Sequence, residues 1–245
     1  MDHFSARMPS CWTAEPGVVD VGLLDLSTST SVGADALSTE ESRRAAAFRF
    51  ALDRERYIRS HVWVRNVIGR YLRMSPKRIA FDYEERGKPY LGTDAKNENL
   101  QFNLAHSGEF AILAISLSNR VGVDIERIDA GRDHVQIARR FFSREEVRQL
   151  EDLPAHKHVE AFFACWTRKE ALLKALGMGL AFPLSGFSVT VSPEESAAIT
   201  EAHSELASSN WWLSDIAAPE GYRAALAVEG GPSLIRRCAW DYARE

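Results

Sequence analysis

Two segments of this chain carry carboxylates at spacings that suit a bound metal ion. Alternating apolar and acidic residues predict a strand over Gly122–Glu126, so Asp124 and Glu126 project from the same face of that strand. Farther along, Glu170 and Lys174 are four residues apart in a segment with helical periodicity, which places them on one helix face. Carboxylates without neighbouring Cys or His ligands suit a hard cation such as Mg2+, which is commonly shared with phosphate oxygens. The combination predicts a site for a metal ion and a diphosphate, with the lysine facing the phosphates.

Taken singly, each segment also has an ordinary structural interpretation. A pair such as Glu170 and Lys174 on a solvated helix surface is worth only about 0.2–0.5 kcal/mol. An Asp-x-Glu pair is common at an exposed sheet edge. The functional interpretation therefore depends on the two segments occurring together with further motifs.

A series of motifs resembles the Sfp-type 4′-phosphopantetheinyl transferases in order, spacing and residue type. The resemblance runs from about Leu37 to Val228 and includes a helix over Arg56–Leu72 with paired arginines. The other motifs are Gly87-Lys88-Pro89, Phe102-Asn-Leu-Ala-His-Ser-Gly108, Gly122-Val-Asp-Ile-Glu126, Phe141-Phe-Ser-Arg-Glu-Glu146, Trp166-x-x-Lys-Glu-Ala-x-x-Lys174 and Gly179-Leu-x-x-Pro-Leu184. A lone Asp-x-Glu would mean little, but an ordered series of this kind is specific.

The resemblance implies an α+β fold of two similar lobes related by a pseudo-twofold axis, although no internal repeat is visible in the sequence. Coenzyme A is expected in the cleft between the lobes. We place the boundary near Asn119-Arg120. This gives an N-terminal lobe over residues 1–119 and a C-terminal lobe, carrying the metal site, over residues 120–245.

The resemblance also implies the reaction and its residues. The 4′-phosphopantetheine group passes from coenzyme A to a serine of an apo carrier protein with the help of Mg2+, and adenosine 3′,5′-bisphosphate is released. The implied metal ligands are Asp124, Glu126 and Glu170. The implied catalytic residues are Glu170 and Lys174, and the base is either Glu170 or a bound water. The implied coenzyme A contacts are Arg56, Lys88, His106 and Lys169.

The chain departs from the family pattern at two places. Ala105 stands where the family usually has serine, so one hydroxyl contact to phosphate is expected to be missing, at about 1 kcal/mol. The basic positions before the arginine-rich helix are only loosely matched, by Arg43 and Arg44. The sequence therefore leaves open how the 3′-phosphate of coenzyme A is held.

Periodicity and turn signals predict the elements that position these residues. Strands are expected over 18–26, 79–83, 110–117, 121–126, 187–191, 211–216 and 222–228, and helices over 135–142, 144–150 and 159–176. Ser38 with Glu41 forms a capping box for a first helix, and Asp53 is expected to cap a second. Gly177 is the expected stop of the last helix.

Two loop predictions concern the site directly. The segment Asn103–Gly108 is expected to form a phosphate-contacting loop. The turn Ser118–Arg120 is expected to join the strands on either side of it into a hairpin whose second arm carries the acidic pair. The polar segment Ser192–Asn210 is left unassigned.

Composition limits the partners and the compartment. The 245 residues are 45% hydrophobic, enough for a full core, and the net charge of −4 does not favour nucleic acid or an anionic membrane. No apolar run reaches the length of a membrane span, and Met1–Pro9 lacks the apolar stretch of a signal peptide. A cytoplasmic protein is expected, and the resemblance implies a monomer.

Cysteine usage agrees with a reducing compartment. Cys11, Cys165 and Cys238 are widely spaced and lack a zinc or redox pattern, so reduced structural thiols are expected. A nucleophilic Cys165 working with His106 is less plausible than a small buried hydrophobe on the packed side of its helix.

The carrier surface and two rival functions remain open. The resemblance suggests carrier docking between Glu126 and Trp166 and after Gly177, with apolar contributors Phe141, Phe142, Met178 and Leu180. The client is left open among fatty-acid, polyketide and nonribosomal-peptide carriers.

One rival function is that of a Mg2+-dependent diphosphate hydrolase, which would need no carrier. The other is a non-catalytic module that binds coenzyme A or a carrier, against which the intact acidic triad argues.

Overall fold

The computed structural model describes residues 13–28, 32–92, 99–178, 182–202 and 210–240. Within these ranges, no helix is both long enough and apolar enough to cross a lipid bilayer. Helices pack on sheets built mainly from antiparallel strands, which confirms the predicted α+β class. The expectations for Met1–Pro9, Cys11, Gly179 and Leu180 lie outside the described residues.

The first half of the chain is a strand, two helices, a short hairpin and two long strands. The elements are β1 (Val18–Asp25), α1 (Thr39–Ala46), α2 (Ala51–Leu72), β2 (Phe81–Tyr83), β3 (Pro89–Leu91), β4 (Leu100–Ser107) and β5 (Phe110–Leu117).

The second half repeats this order with one extra helix and one extra strand. The elements are β6 (Val121–Arg127), α3 (His134–Phe141), α4 (Arg144–Asp152), α5 (His158–Leu176), β7 (Phe187–Val189), β8 (Ile199–Ala202), β9 (Trp211–Ile216), β10 (Tyr222–Glu229) and β11 (Leu234–Trp240). Helix α5 ends at Gly177, whose φ of 68° is the left-handed conformation that glycine adopts without strain.

The two main sheets share one topology. In the first half the strand order is β1-β5-β4, and in the second half it is β6-β10-β9, with antiparallel pairing throughout. Strand β11 then returns to the first sheet and pairs in parallel with β1, with Val18 opposite Leu234. The first sheet therefore contains residues from both predicted lobes. The repeated order supports the two-lobe prediction, and the pseudo-twofold axis itself stays a prediction.

Three apolar clusters build the molecule in layers. Helix α2 covers the outer face of the first sheet, where Trp63 and Phe102 are buried. Helix α5 and its neighbouring helices cover the outer face of the second sheet, where Leu172 is buried. Between the two sheets lies a third cluster that includes Val21 and Val123. The order of layers is helix, sheet, sheet, helix, so strand β6 lies near the middle of the protein.

A buried ion pair fixes the helices of the first half. Glu41 completes the capping box of α1 by accepting from Ser38 N at 2.7 Å. It also accepts from Arg65 Nε on α2 at 2.8 Å, and both side chains of this pair are only 2% exposed. The Arg65 guanidinium lies over the ring of Phe81, the first residue of β2, at 4.9 Å.

The second half contains the same arrangement with lysine in place of arginine. Glu146 completes the capping box of α4 by accepting from Ser143 N at 2.8 Å. It also accepts from Lys169 Nζ on α5 at 2.6 Å. The Lys169 ammonium lies 4.1 Å from the ring centroid of Phe187, the first residue of β7. A capping glutamate, a helix cation and a hairpin aromatic ring thus recur in both halves.

Most predicted elements are confirmed, with shifts of a few residues at their ends. The strand over 211–216, the Ser38–Glu41 capping box and the Gly177 stop are found as predicted. The Asp53 cap is wrong, because α2 begins at Ala51 after the N-cap residue Phe50. Part of the unassigned 192–210 segment forms β8.

Neither the loop nor the hairpin predicted near the site is formed, and the phosphate contact of the first segment stays a prediction. Residues 103–107 lie within β4, because alternate side chains there are buried between the sheets. The Ser118–Arg120 turn does not close a hairpin, because β5 already has β1 and β4 on its two edges. Strand β6 instead pairs with β10 in the other sheet.

Candidate functional site

Glycine at position 122 lets helix α5 lie directly on strand β6. A Cβ atom at Gly122 would collide with the carbonyl oxygen of Ala171 and the amide nitrogen of Ala175. The two acidic residues of β6 share the strand face of this glycine. Helix α5 therefore brings Glu170 and Lys174 over the acidic pair, as the sequence predicted.

Asp124 and Lys174 form a short ion pair at the centre of the site. Lys174 Nζ donates to Asp124 Oδ1 at 2.5 Å, with the aspartate side chain 3% exposed and the lysine side chain 30% exposed. The second aspartate oxygen, Oδ2, is buried without a hydrogen-bond partner. A buried carboxylate oxygen in this state is costly unless a donor or a cation satisfies it.

The pKa values of all three carboxylates are raised. Burial raises the pKa of Asp124 despite the ammonium of Lys174. Burial and the charge of Asp124 raise the pKa of Glu126 and of Glu170. Burial alone would lower the pKa of Lys174, but Asp124 and the two glutamates raise it on balance. The site holds more negative than positive charge, an arrangement that attracts a cation.

The donor set fits Mg2+ better than a softer metal. The carboxylates supply only oxygen atoms, and the buried Asp124 Oδ2 has no hydrogen-bond donor. Across the described ranges, no three Asp, Glu, His or Cys side chains enclose a metal position as they stand. In this arrangement Asp124 Oδ1 accepts from Lys174, and Glu126 Oε2 accepts from Ser107 Oγ at 2.7 Å.

Cationic and neutral donors border the acids on the side of the first sheet. Desolvation lowers the pKa of His106, and the charges of Lys174 and Arg56 lower it further, which favours the neutral imidazole. Arg56 on α2 has a buried Nε without a hydrogen-bond partner. The charges of Arg56 and Lys174 both act on His106, so the three side chains lie near one another, an arrangement suited to phosphate.

Lys169 lies in the interior rather than in the site. Its side chain is fully buried, and its Nζ donates to both oxygens of Glu146, at 2.6 and 2.8 Å, and to the carbonyl of Phe187 at 2.6 Å. Its three donors are therefore used within the second half of the molecule. This geometry does not support the predicted coenzyme A contact.

Lys88 is also directed away from the site. Its Nζ donates to the carbonyls of Ala175 at 2.8 Å and Val121 at 3.2 Å. Burial and the nearby charge of Arg120 lower the pKa of Lys88 to about 8. The side chain ties the β2–β3 turn to the second half of the molecule, and this placement does not support the predicted phosphate contact.

Ala105 has a structural explanation. Its side chain is 4% exposed and packs in the apolar cluster between the two sheets. Side chains alternate along β4, so Ala105 and His106 lie on opposite faces of the strand. A hydroxyl at position 105 would face that apolar cluster, and the expected loss of a phosphate contact is therefore not supported.

Two cavities open on either side of β4. One, of about 250 Å³, lies on the α2 side and is bordered by Arg44, His61, Tyr83, Gly87, Pro89 and His106. The other, of about 300 Å³, lies on the α3 and α5 side and is bordered by Ser107, Glu126, Arg132, His134, Phe162 and Trp166. His106 thus borders the first cavity, and Glu126 of the acidic cluster borders the second.

Ser107 is a side chain of the site that the sequence motifs did not assign. Its hydroxyl donates to Glu126 and accepts from Arg127 N at 3.1 Å. The available signal was the period of two from Asn103 through Ala105 to Ser107, which indicates a strand rather than a loop.

Comparisons with known proteins cover both halves. A model of the 4′-phosphopantetheinyl transferase superfamily matches residues 120–227, and a model of the 4′-phosphopantetheinyl transferase N-terminal region matches residues 27–118. The chain is 36% identical over 197 residues to the 4′-phosphopantetheinyl transferase HetI of Nostoc sp., covering 80% of each chain. It is 33% identical over 163 residues to the 4′-phosphopantetheinyl transferase psf-1 of Bacillus pumilus (66% of this chain, 67% of the relative). It is 31% identical over 163 residues to Sfp of Bacillus subtilis (66% and 70%).

Proposed function

This chain belongs to the 4′-phosphopantetheinyl transferase superfamily, and on that premise we propose that it transfers 4′-phosphopantetheine from coenzyme A to a serine of an apo carrier protein. The resemblance to Sfp-type members is confirmed by the relatives. The observation that carries the proposal is the meeting of Asp124, Glu126 and Glu170 with Lys174 where β6 and α5 pack together.

Mg2+ is part of the proposal. Asp124, Glu126 and Glu170 are the residues that hold it, and the orphaned oxygen of Asp124 supports this assignment. When bound, Mg2+ neutralises charge on the diphosphate of coenzyme A. The carboxylates must be ionised to act as ligands, and their raised pKa values favour a loss of metal binding as pH falls.

Lys174 acts as a cation and Glu170 is the candidate base. The acids of the site raise the pKa of Lys174 on balance, so its side chain stays protonated and contacts phosphoryl oxygen as a donor. The pKa of Glu170 is raised by burial and by Asp124, which suits a carboxylate that takes the proton of the carrier serine. The serine oxygen attacks the β-phosphate that bears the pantetheine arm, and adenosine 3′,5′-bisphosphate leaves.

The nucleotide end of coenzyme A is assigned to the cavity beside α2. Arg44, Gly87, Pro89 and His106 border this cavity. The unpartnered Nε of Arg56 supports a phosphate contact from that side chain. Arg44 is the candidate for the 3′-phosphate, although it also bonds Glu40 at 3.2 Å and lies 5.2 Å from the ring centroid of Tyr83.

The carrier protein is assigned to the other side of β4. Phe141 is 38% exposed at the end of α3, and its neighbour Arg140 lies over its ring at 5.2 Å. Phe142 is buried against Phe162 and is removed from the expected contact surface. Met178 is half-buried beside the core of the second half and stays a candidate contact.

The proposal also places coenzyme A in a cleft between two lobes, whose boundary lies near residue 119. It further includes a monomeric protein and a cytoplasmic location. The repeated sheet order supports the lobes. Cys165 and Cys238 are buried free thiols, which supports a reducing compartment.

The test is the intact mass of an apo carrier protein after incubation with this protein, coenzyme A and Mg2+. We expect a gain of one phosphopantetheine on the carrier serine and no gain when a chelator is present. Fatty-acid, polyketide and peptide carriers should be tested in parallel, because the client is not set by the geometry.

Two other outcomes would replace the proposal. Release of adenosine 3′,5′-bisphosphate without any gain in carrier mass would indicate a diphosphate hydrolase. Coenzyme A binding without turnover on any carrier would indicate a non-catalytic module.

A further inference from the structure

Strands β4 and β6 pack side by side although they belong to different sheets. They are not paired as a backbone ladder: β4 pairs with β5, and β6 pairs with β10. The strand that carries Asp124 and Glu126 therefore lacks backbone pairing on the side that faces the first sheet. Its register against that sheet must be set by other contacts.

Two side chains of β4 supply those contacts. Asn103 is 6% exposed, and its Oδ1 accepts from Val123 N at 2.8 Å, one residue before Asp124. Four residues later, Ser107 Oγ accepts from Arg127 N at 3.1 Å. Both bonds join residues that are 20 positions apart, so the two strands run in the same direction with a fixed offset.

Ser107 also acts on the acidic pair directly. Its Oγ donates to Glu126 Oε2 at 2.7 Å while it accepts from the next backbone amide of β6. The hydroxyl uses its donor on the carboxylate and its acceptor on the strand, so the orientation of the bond is determined. Glu126 Oε1 is left available for a ligand of the site.

We propose that Asn103 and Ser107 are positioning residues, which lock β6 in register against β4 and orient the Glu126 carboxylate for the metal ion. The inference rests on the proposed function, because it assigns a purpose to the geometry around Asp124 and Glu126. Neither side chain needs to touch coenzyme A or the carrier. Asn103 acts through the backbone of β6, and Ser107 acts through that backbone and the Glu126 carboxylate.

Three serine variants test this inference through metal binding. Mn2+ alone is titrated into each protein and followed by electron paramagnetic resonance, without coenzyme A or carrier. Ser107→Ala should raise the Mn2+ dissociation constant about 10-fold, the lower end of the effect usual for residues behind metal ligands. Ser107→Thr keeps the hydroxyl and should restore most of the affinity. Ser116→Ala is the matched control, because Ser116 is buried on β5 with a hydroxyl that has no partner.

A second pair of variants covers the other contact. Asn103→Asp keeps an acceptor oxygen for Val123 N, whereas Asn103→Leu removes it at similar volume. We expect weaker Mn2+ binding in the leucine variant than in the aspartate variant, and a lower kcat for transfer at saturating coenzyme A.

The outcomes separate the inference from the proposed function. Wild-type affinity in both Ser107→Ala and Asn103→Leu would overturn the inference while leaving the metal site intact. Equal losses in Ser107→Ala and Ser116→Ala would also overturn it, because they would indicate a general loss of packing. A wild-type protein that binds no Mn2+ would overturn the metal assignment and the inference with it.

Discussion

At the scale of single residues, two lysines of α5 differ in role: one belongs to the site and the other to the core. Lys174 bonds Asp124 at the edge of the site, whereas Lys169 bonds Glu146 in the interior. The sequence places both on the same motif, and its periodicity correctly puts Glu170 and Lys174 on one face. It could not exclude Lys169, because α5 is packed on almost all sides and a buried lysine gives no signal in a pattern of apolar residues. Only the distant partners Glu146 and Phe187 decide its role.

The first prediction concerns the central aspartate. Asp124→Asn keeps the shape of the side chain but removes its negative charge. The variant therefore loses a proposed ligand of the metal ion and the charged partner of Lys174. We expect the rate of phosphopantetheine transfer to fall about 100-fold or more with the fold retained. Carrier mass spectrometry gives the rate, and circular dichroism checks the fold. Glu220→Gln, an exposed acid, should have wild-type activity. Full activity in Asp124→Asn would remove this residue from the mechanism.

The second prediction concerns His61 and the pH dependence of stability. Burial lowers the pKa of His61 to about 4, although a bond to the Tyr57 carbonyl and the charge of Glu41 act in the other direction. The unfolded chain has an ordinary histidine pKa of about 6.5 and binds a proton that the folded chain excludes. The free energy of unfolding should therefore decrease as pH falls from about 6.5 towards 4, by at most about 3 kcal/mol from this group.

Urea unfolding at pH 7.5 and pH 5 measures this effect. His61→Phe keeps a ring against Tyr57, which stacks on His61 at 3.8 Å, and should lose less stability between the two pH values than the wild type. His156→Gln, at an exposed position, should lose as much as the wild type. An unchanged pH dependence in His61→Phe would show that other groups account for the acid sensitivity.

At the scale of elements, the packing of α5 on β6 depends on one glycine. Gly122→Ala would place a methyl group against the backbone of α5 at Ala171 and Ala175. We expect a loss of about 1–3 kcal/mol in the free energy of unfolding, because neither backbone can move without disturbing the core. Transfer activity should also fall, because Glu170 and Lys174 move away from β6 with the helix.

The matched control is Gly33→Ala. Gly33 has ordinary backbone angles and open space around its Cα, so this variant should match the wild type in both stability and activity. Urea unfolding and carrier mass spectrometry measure the two variants side by side. A fully stable and active Gly122→Ala would mean that the helix tolerates a wider separation from β6.

The elements were more predictable than their pairing. Helices and strands with clear periodicity, such as Trp211–Ile216, were found from sequence because local burial repeats with the period of the element. The pairing of β6 with β10 could not be predicted from the sequence. The short turn at Ser118–Arg120 favours a hairpin between β5 and β6, whereas the actual partner of β6, strand β10, lies far along the chain. Strand β4 was mistaken for a loop because its site-facing residues are polar.

At the scale of the whole molecule, a buried cluster ties the end of the fold to its beginning. Asp20 on β1 is 3% exposed and accepts two bonds from Arg236 on β11, at 2.5 and 2.8 Å. Tyr71 on α2 donates to the same carboxylate at 2.5 Å. The cluster joins α2, β1 and β11. The sequence did not predict β11, because parallel pairing between distant segments leaves no local signature.

Arg236→Leu tests the importance of this cluster. Removing the guanidinium leaves the buried Asp20 with only part of its partners, so we expect a loss of about 3 kcal/mol in the free energy of unfolding. Arg148→Leu removes an exposed arginine that pairs with Glu145 and Asp152 and should cost less than about 1 kcal/mol. Urea unfolding compares the two variants, and equal losses would contradict the assignment of β11 as an anchor.

The parallel pairing of β1 with β11 also affects how the protein is made. Asp20 and Arg236 are 216 positions apart, so the first strand leaves the ribosome long before its neighbour is synthesised. At roughly 5–20 residues per second, this interval is about 10–40 s. During that time the Asp20 carboxylate lacks its guanidinium and one edge of the sheet is unpaired. Until β11 is synthesised, this edge of the nascent sheet is open to pairing with other extended chains.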